Sequence, residues 1–200
     1  MAARPQPETR DLLLSAAEQI LVTRGVHALS VRQVGEMAGL NGTLVTYHFG
    51  GIGGLLEELA QQNMAPMVEA WSAIENAEEA RDILAAWLKP LLLPAAYHPA
   101  ARALVVLDEI AAHASAQQSD IVLQQMIKAA MQVEAALSPK LPALARGDVR
   151  ARLRFIAGAA LGPPPRTRGL AGSVQESPEN SADALLRFAA AALELPSNKN

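Results

Sequence analysis

Apolar side chains recur between Glu8 and Arg24 at Leu12, Leu13, Ala16, Ala17, Ile20 and Leu21. That is the three-and-four spacing of one helix face. Gly25 stands where such a helix stops. A second helix is predicted to open at Ser30, which with Gln33 forms a Ser-x-x-Gln capping box. Val31, Val34 and Met37 share one of its faces, and Ala38-Gly39 ends it. A third, short helix is expected from Asn41 or Gly42 to about His48. The stretch Gly50-Gly51-Ile52-Gly53-Gly54 reads as a flexible break. A long helix follows from about Leu55, with Pro66 expected to kink it.

The pattern stays helical to the end of the chain. Helices are predicted over residues 79–93, with Pro90 and Pro94 marking a ragged end, and from Pro99 to about Ala116. Others follow over 119–137, 147–161 and 181–194. Gly162 through Asn180 is rich in Gly, Pro and Ser and reads as a long mobile loop. Residues 1–7 hold two prolines and look like a loose arm. No segment alternates in the manner of a strand, and no fixed-period repeat is evident. The expected fold is all-α, with about nine helices.

Composition supports this. Half of the 200 residues are hydrophobic, only 4% are aromatic, and alanine alone supplies 40. Alanine and leucine are the strongest helix formers. There is no cysteine, which excludes disulfides, thiolate metal sites and a cysteine nucleophile. No signal peptide or membrane span is visible, so a cytoplasmic protein is expected. Neither a nucleophile–base–orienter set nor a phosphate loop appears, so no enzymatic role or cofactor is expected.

Two short helices joined by a tight glycine turn make a helix-turn-helix, the second helix of which lies in the major groove of DNA. Gly35 and Ala38 provide the small inner face that close crossing needs, and Gly39 supplies the turn's positive φ. Leu40 plugs the gap, and Asn41 can cap the second helix. Val34, Leu44 and Val45 complete the small core. The exposed face would carry Gly42, Thr43, Thr46 and Tyr47. Charge gives this reading no help. The net charge is −3, and in residues 1–50 Arg4, Arg10, Arg24 and Arg32 are balanced by Glu8, Asp11, Glu18 and Glu36.

The stretch from Thr9 to Leu56 resembles the tetracycline-repressor (TetR) family. The resemblance is carried by Thr9-Arg-Asp-Leu-Leu-Leu-Ser-Ala-Ala, Arg24-Gly25, Ser30-Val-Arg-Gln-Val-Gly-Glu-Met-Ala-Gly-Leu-Asn, Val45-Thr-Tyr-His-Phe-Gly50 and Leu55-Leu56. It implies a DNA-binding head at residues 1–54 (motif 30–49) and a helical ligand-binding and dimerisation region at 55–200. It also implies DNA contacts from Arg32, Gln33, Asn41, Gly42, Thr43, Thr46, Tyr47 and His48, with a ligand-responsive repressor acting on a palindromic operator. Ile52 stands where the family usually has a phosphate-binding lysine. Arg10 reads as a solvated surface arginine or a further DNA contact, and Phe49 as core.

In the second region Glu109 and His113 share a helix face. With Asp108, Trp71, Trp87 and Met126 they are the candidates to line a pocket for a small-molecule effector; no metal site is expected. Arg146, Arg150, Arg152 and Arg154 form the densest basic cluster, read as a solvated face or an inter-subunit ion pair rather than a nucleic-acid site. The small residues of 147–161 and 181–194 suit close helix contact, which the resemblance implies is a homodimer's four-helix bundle. The rival reading is a helical ligand-binding or interaction protein with weak or lost DNA binding.

Overall fold

The computed structural model describes residues 8–97, 102–161 and 178–194. The α-helices of these residues are α1 (Thr9–Arg24), α2 (Val31–Ala38), α3 (Thr43–Phe49), α4 (Ile52–Trp71), α5 (Ala80–Tyr97), α6 (Arg102–His113), α7 (Ala116–Leu137), α8 (Arg146–Leu161) and α9 (Pro178–Ala192). Among the described residues there is no strand, and the all-α expectation is borne out. The chain divides into two compact units, residues 1–64 with 105–123, and residues 65–104 with 124–200.

In the first unit α1 buries Leu13, Leu14, Ala16, Ala17, Ile20 and Leu21. Leu12, expected inside, is exposed and Leu14 takes its place. At 100° per residue Leu14 falls beside Leu21, whereas Leu12 falls on the opposite margin of the stripe. Val34, Val45, Leu55, Val106 and Ile110 are fully buried as well. The Glu109 carboxylate is buried and accepts the Val26 N–H at 3.0 Å, which ties α6 to the corner after α1. Gln117 and Gln118, at the start of α7, donate to Glu57 of α4 at 2.8 and 3.2 Å.

The glycine run after α3 is a tight corner, not a flexible break. Gly50 and Gly51 have positive φ, and α4 begins at once, at Ile52. Gly53 and Gly54 lie in its first turn. A Cβ on Gly54 would stand 1.9 Å from the Phe49 carbonyl oxygen, so the corner closes only around a residue without a side chain.

In the second unit α5 runs through both Pro90 and Pro94 to Tyr97, correcting the expected ragged end. A proline inside a helix removes one hydrogen bond and crowds the carbonyl four residues back, at about 3 kcal/mol. Burial of Ile83, Leu84, Trp87, Leu88 and Leu91 opposes that loss, and α9 packs along α5. The helix α4 likewise continues through Pro66. The first residues of α9, Pro178–Asn180, are helical where the sequence predicts loop. Pro99, the arm at 1–7 and residues 162–177 lie outside the described residues.

The arginine cluster is largely spoken for within the chain. Glu134 of α7 accepts from Arg146 Nε at 3.1 Å and from Arg150 Nε and Nη2, both at 2.8 Å. Arg152 donates to the Ala192 carbonyl and to Glu194, each at 2.8 Å, tying α8 to the end of α9. Among the described residues no helix is long and apolar enough to cross a membrane.

Two measurements test these contacts. An exposed helix gains about 1 kcal/mol when alanine replaces glycine. Gly54→Ala is expected to do the reverse, lowering stability in denaturant titration by about 1–3 kcal/mol; an unchanged midpoint would show that the corner opens at no cost. The bond from Arg150, followed by that from Arg146, holds the Glu134 carboxyl at about 2, below its ordinary 4.5. A depressed carboxylate stabilises the fold above its ordinary pKa, and that contribution is lost as the pH falls from about 4.5 to about 2. Glu134→Gln should therefore flatten the acid limb of the stability–pH curve and leave its alkaline limb in place.

Candidate nucleic-acid interface

The head is built around the crossing of α2 and α3. Ser30 Oγ accepts the Gln33 N–H at 3.2 Å, the first half of the expected capping box. The side-chain oxygen of Gln33, which a full box would turn back onto Ser30, accepts from Arg24 at 3.2 Å. Gly39 takes the left-handed conformation, with φ 67° and ψ 28°, and the Leu40 N–H closes onto Gly35 O at 2.9 Å. Two glycines let the helices touch. A Cβ on Gly35 would lie 2.6 Å from Gly42 N, and one on Gly42 would lie 2.6 Å from the Val31 carbonyl oxygen.

Both ends of α3 are secured. At its start Asn41 Oδ1 accepts the Thr43 N–H at 3.0 Å and the Thr43 hydroxyl at 2.9 Å. At its end the Gly50 N–H bonds to Thr46 O at 2.9 Å. Arg10 of α1 donates to the His48 carbonyl at 3.0 Å, pairs with Glu58 of α4 at 2.9 Å, and lies 4.6 Å from the centre of the Phe49 ring. A cation here meets the negative end of the helix dipole. Arg10 is therefore a clasp on α3, a role the sequence did not suggest. Phe49 is half-buried beneath that guanidinium rather than fully in the core.

Most of the expected contact residues gather on one surface. Thr43, Thr46 and Asn41 are exposed, and Tyr47 is 82% exposed. The half-buried His48 ring meets Tyr47 edge-on at 5.0 Å. Gly42 is held by its approach to Val31. Arg32 is exposed and bonded to Glu36 at 2.7 Å, whose hydrogen bond and charge raise its pKa. A phosphate would compete with that carboxylate. Sequence reasoning overlooked Arg24, an exposed cation at the end of α1 that reaches Gln33; its place in the last turn of α1 was the available signal.

The proposed effector residues are divided between the two units. Asp108, Glu109 and His113 belong to the first unit, where Glu109 holds Val26 and the His113 and His27 rings are 5.9 Å apart. Trp71, Trp87 and Met126 belong to the second. There Trp71 Nε1 donates to the Trp87 carbonyl at 3.0 Å, and both indoles are buried. Trp71 also lines an open cleft of about 210 Å³ with Val68, Glu75, Lys128, Ala129 and Gln132.

Comparison with known proteins agrees with this geometry. The family model for bacterial regulatory proteins of the tetR family matches residues 13–59. Among curated proteins none matches the chain. A TetR-family regulator from Bordetella parapertussis superposes with a TM-score of 0.76 at 16% identity, over 96% of this chain and 100% of that one. The TetR-family regulator PfmR from Thermus thermophilus gives 0.72 at 15% identity, over 97% and 100%. AibR, solved with isovaleryl coenzyme A and operator DNA, gives 0.71 at 15%, over 90% and 97%. Residues 13–59 thus carry the tetR-family helix-turn-helix domain, and the chain has the fold of solved TetR-family regulators.

The clasp is testable without any DNA. Arg10→Ala should cost about 1–2 kcal/mol in denaturant unfolding, through the lost carbonyl bond and ring contact. Arg10→Lys should recover only part, because an ammonium does not stack as a planar guanidinium does. Equal midpoints for all three proteins would show that α3 does not need the clasp.

Proposed function

From the tetR-family head at residues 13–59, we propose that this chain is a ligand-responsive transcriptional repressor that binds a palindromic operator as a homodimer. Residues 1–54 bind DNA; residues 55–200 bind the effector and dimerise. One observation carries the reading. The exposed Thr43, Thr46 and Tyr47 lie on a helix whose two ends are fixed by other parts of the head. Phosphate contacts from Arg32, Gln33, Tyr47 and His48 would set register, and contacts from Asn41, Gly42, Thr43 and Thr46 would meet the bases.

Dimerisation is supported by two large apolar groups left in solvent on the last helices, Phe155 of α8 at 75% exposure and Phe188 of α9 at 51%. Three and four residues after Phe155, Gly158 and Ala159 are exposed and offer a close approach. A twofold dimer would set two α3 helices about 34–36 Å apart, one turn of DNA. The effector is a small molecule in the second unit. The cleft beside Trp71, where Val68 and Ala129 meet the polar Glu75, Lys128 and Gln132, is the candidate place. The fold-mate AibR was solved with an acyl coenzyme A, which supports an effector of that general kind. Effector binding and operator binding oppose each other by the same factor. With DNA as its partner, the protein works in the cytoplasm.

The neutral head favours one rival, an interaction protein that kept the fold and lost DNA binding. Selection from a library of genomic duplexes separates the two. The repressor reading expects an enriched sequence with twofold symmetry and half-sites one turn apart, bound with a shallow salt dependence. It also expects Ile52→Lys to raise affinity and steepen the log–log salt slope by about 0.9. Binding without sequence preference, or none, would leave the rival standing.

A further inference from the structure

We propose that α3 recognises thymine through a methyl group, and that Thr43 is the residue that does so; the inference rests on the operator-binding reading above. Paired hydrogen bonds to guanine come from Arg or Lys, and to adenine from Asn or Gln. From Thr43 to Phe49 the helix contains none of these four residues. Asn41 just ahead of it is exposed and is the obvious adenine reader. Its Oδ1, however, already accepts the Thr43 N–H at 3.0 Å and the Thr43 hydroxyl at 2.9 Å. An amide whose oxygen is taken twice cannot form the two-pronged pair with adenine, which needs that oxygen as an acceptor.

The same bond limits what Thr43 can say to a base. Its hydroxyl proton is committed to Asn41, so it does not donate to the acceptors of guanine, adenine or thymine. What the exposed side chain has left to offer is its Cγ2 methyl and the lone pairs of Oγ1, which accept only from the amino groups of adenine or cytosine; a half-site insensitive to loss of thymine methyls would favour the latter and overturn the assignment. Thymine is the base that carries a methyl group in the major groove, and threonine methyl contact with it is a recognised mode of reading. The cap that starts α3 thus removes the Thr43 hydroxyl as a donor and leaves its methyl to meet thymine.

Deoxyuridine tests this, since it lacks only the C5 methyl and pairs as thymidine does. The full chain is first used to select an operator from random duplexes, and each thymine of a half-site is then replaced by deoxyuridine. One position should weaken binding by the wild-type protein about three- to fivefold, the effect of losing one apolar methyl contact. Thr43→Ser keeps the hydroxyl and its bond to Asn41 but lacks the methyl, and should bind both duplexes equally. Thr43→Val keeps the methyl and should retain the discrimination. A Thr43→Ser protein that still discriminates, a Thr43→Val protein that does not, or a half-site in which no thymine is sensitive overturns the assignment and leaves the operator reading intact. Selection that enriches no sequence overturns the operator reading, and this inference with it.

Discussion

A helix of seven residues does not hold together alone in water, because too few hydrogen bonds follow its costly first turn. The head is organised around that constraint. Each neighbouring helix supplies a restraint on α3. The helix α2 offers the bare Gly35, so that Gly42 can rest against its backbone. The helix α1 sends Arg10 to the last turn, and α4 answers with Glu58 and with the missing side chain of Gly54. Of the outward residues, Thr43 is tied to Asn41 and Tyr47 takes little part in this. Tyr47 is largely in solvent, so a change there costs folding little, while a change in the frame beneath costs more.

The frame also consumes charge. Arg10 and Arg32 both face carboxylates, Glu58 and Glu36, and Arg24 is turned toward Gln33. These three cations are therefore engaged within the head before they meet anything else. Exposed pairs of this type contribute little to stability. They do set a competition in which an incoming phosphate must displace an internal partner.

Local signals are legible in the sequence, and distant ones are not. Ser30 before Gln33, Gly39 in the turn and Asn41 ahead of α3 each act on residues within a few positions, and each does what its chemistry suggests. The predicted face of α1 is off by one margin, because periodicity fixes the centre of a stripe better than its edges. Arg10 finds its partners 38 and 48 positions away, Glu109 finds Val26 across 83, and Glu134 reaches α8. No spacing rule reports such meetings. The glycine at 54 misleads for a related reason: its role is set by a carbonyl oxygen outside its own helix. The prolines of α5 read as breakers because propensity is local, while the burial that keeps the helix whole is not.

The contact between Glu109 and the corner after α1 has a consequence for what that corner tolerates. A side chain on Gly25 would begin 3.0 Å from a Glu109 carboxylate oxygen, and that oxygen also holds the next residue's N–H. Gly25 itself stands at φ 79° and ψ 173°, where any side chain is strained whatever space the acid leaves. Position 25 is therefore held to glycine by its own backbone as well as by its neighbour, and shortening the acid at 109 would cost Val26 its acceptor without releasing position 25.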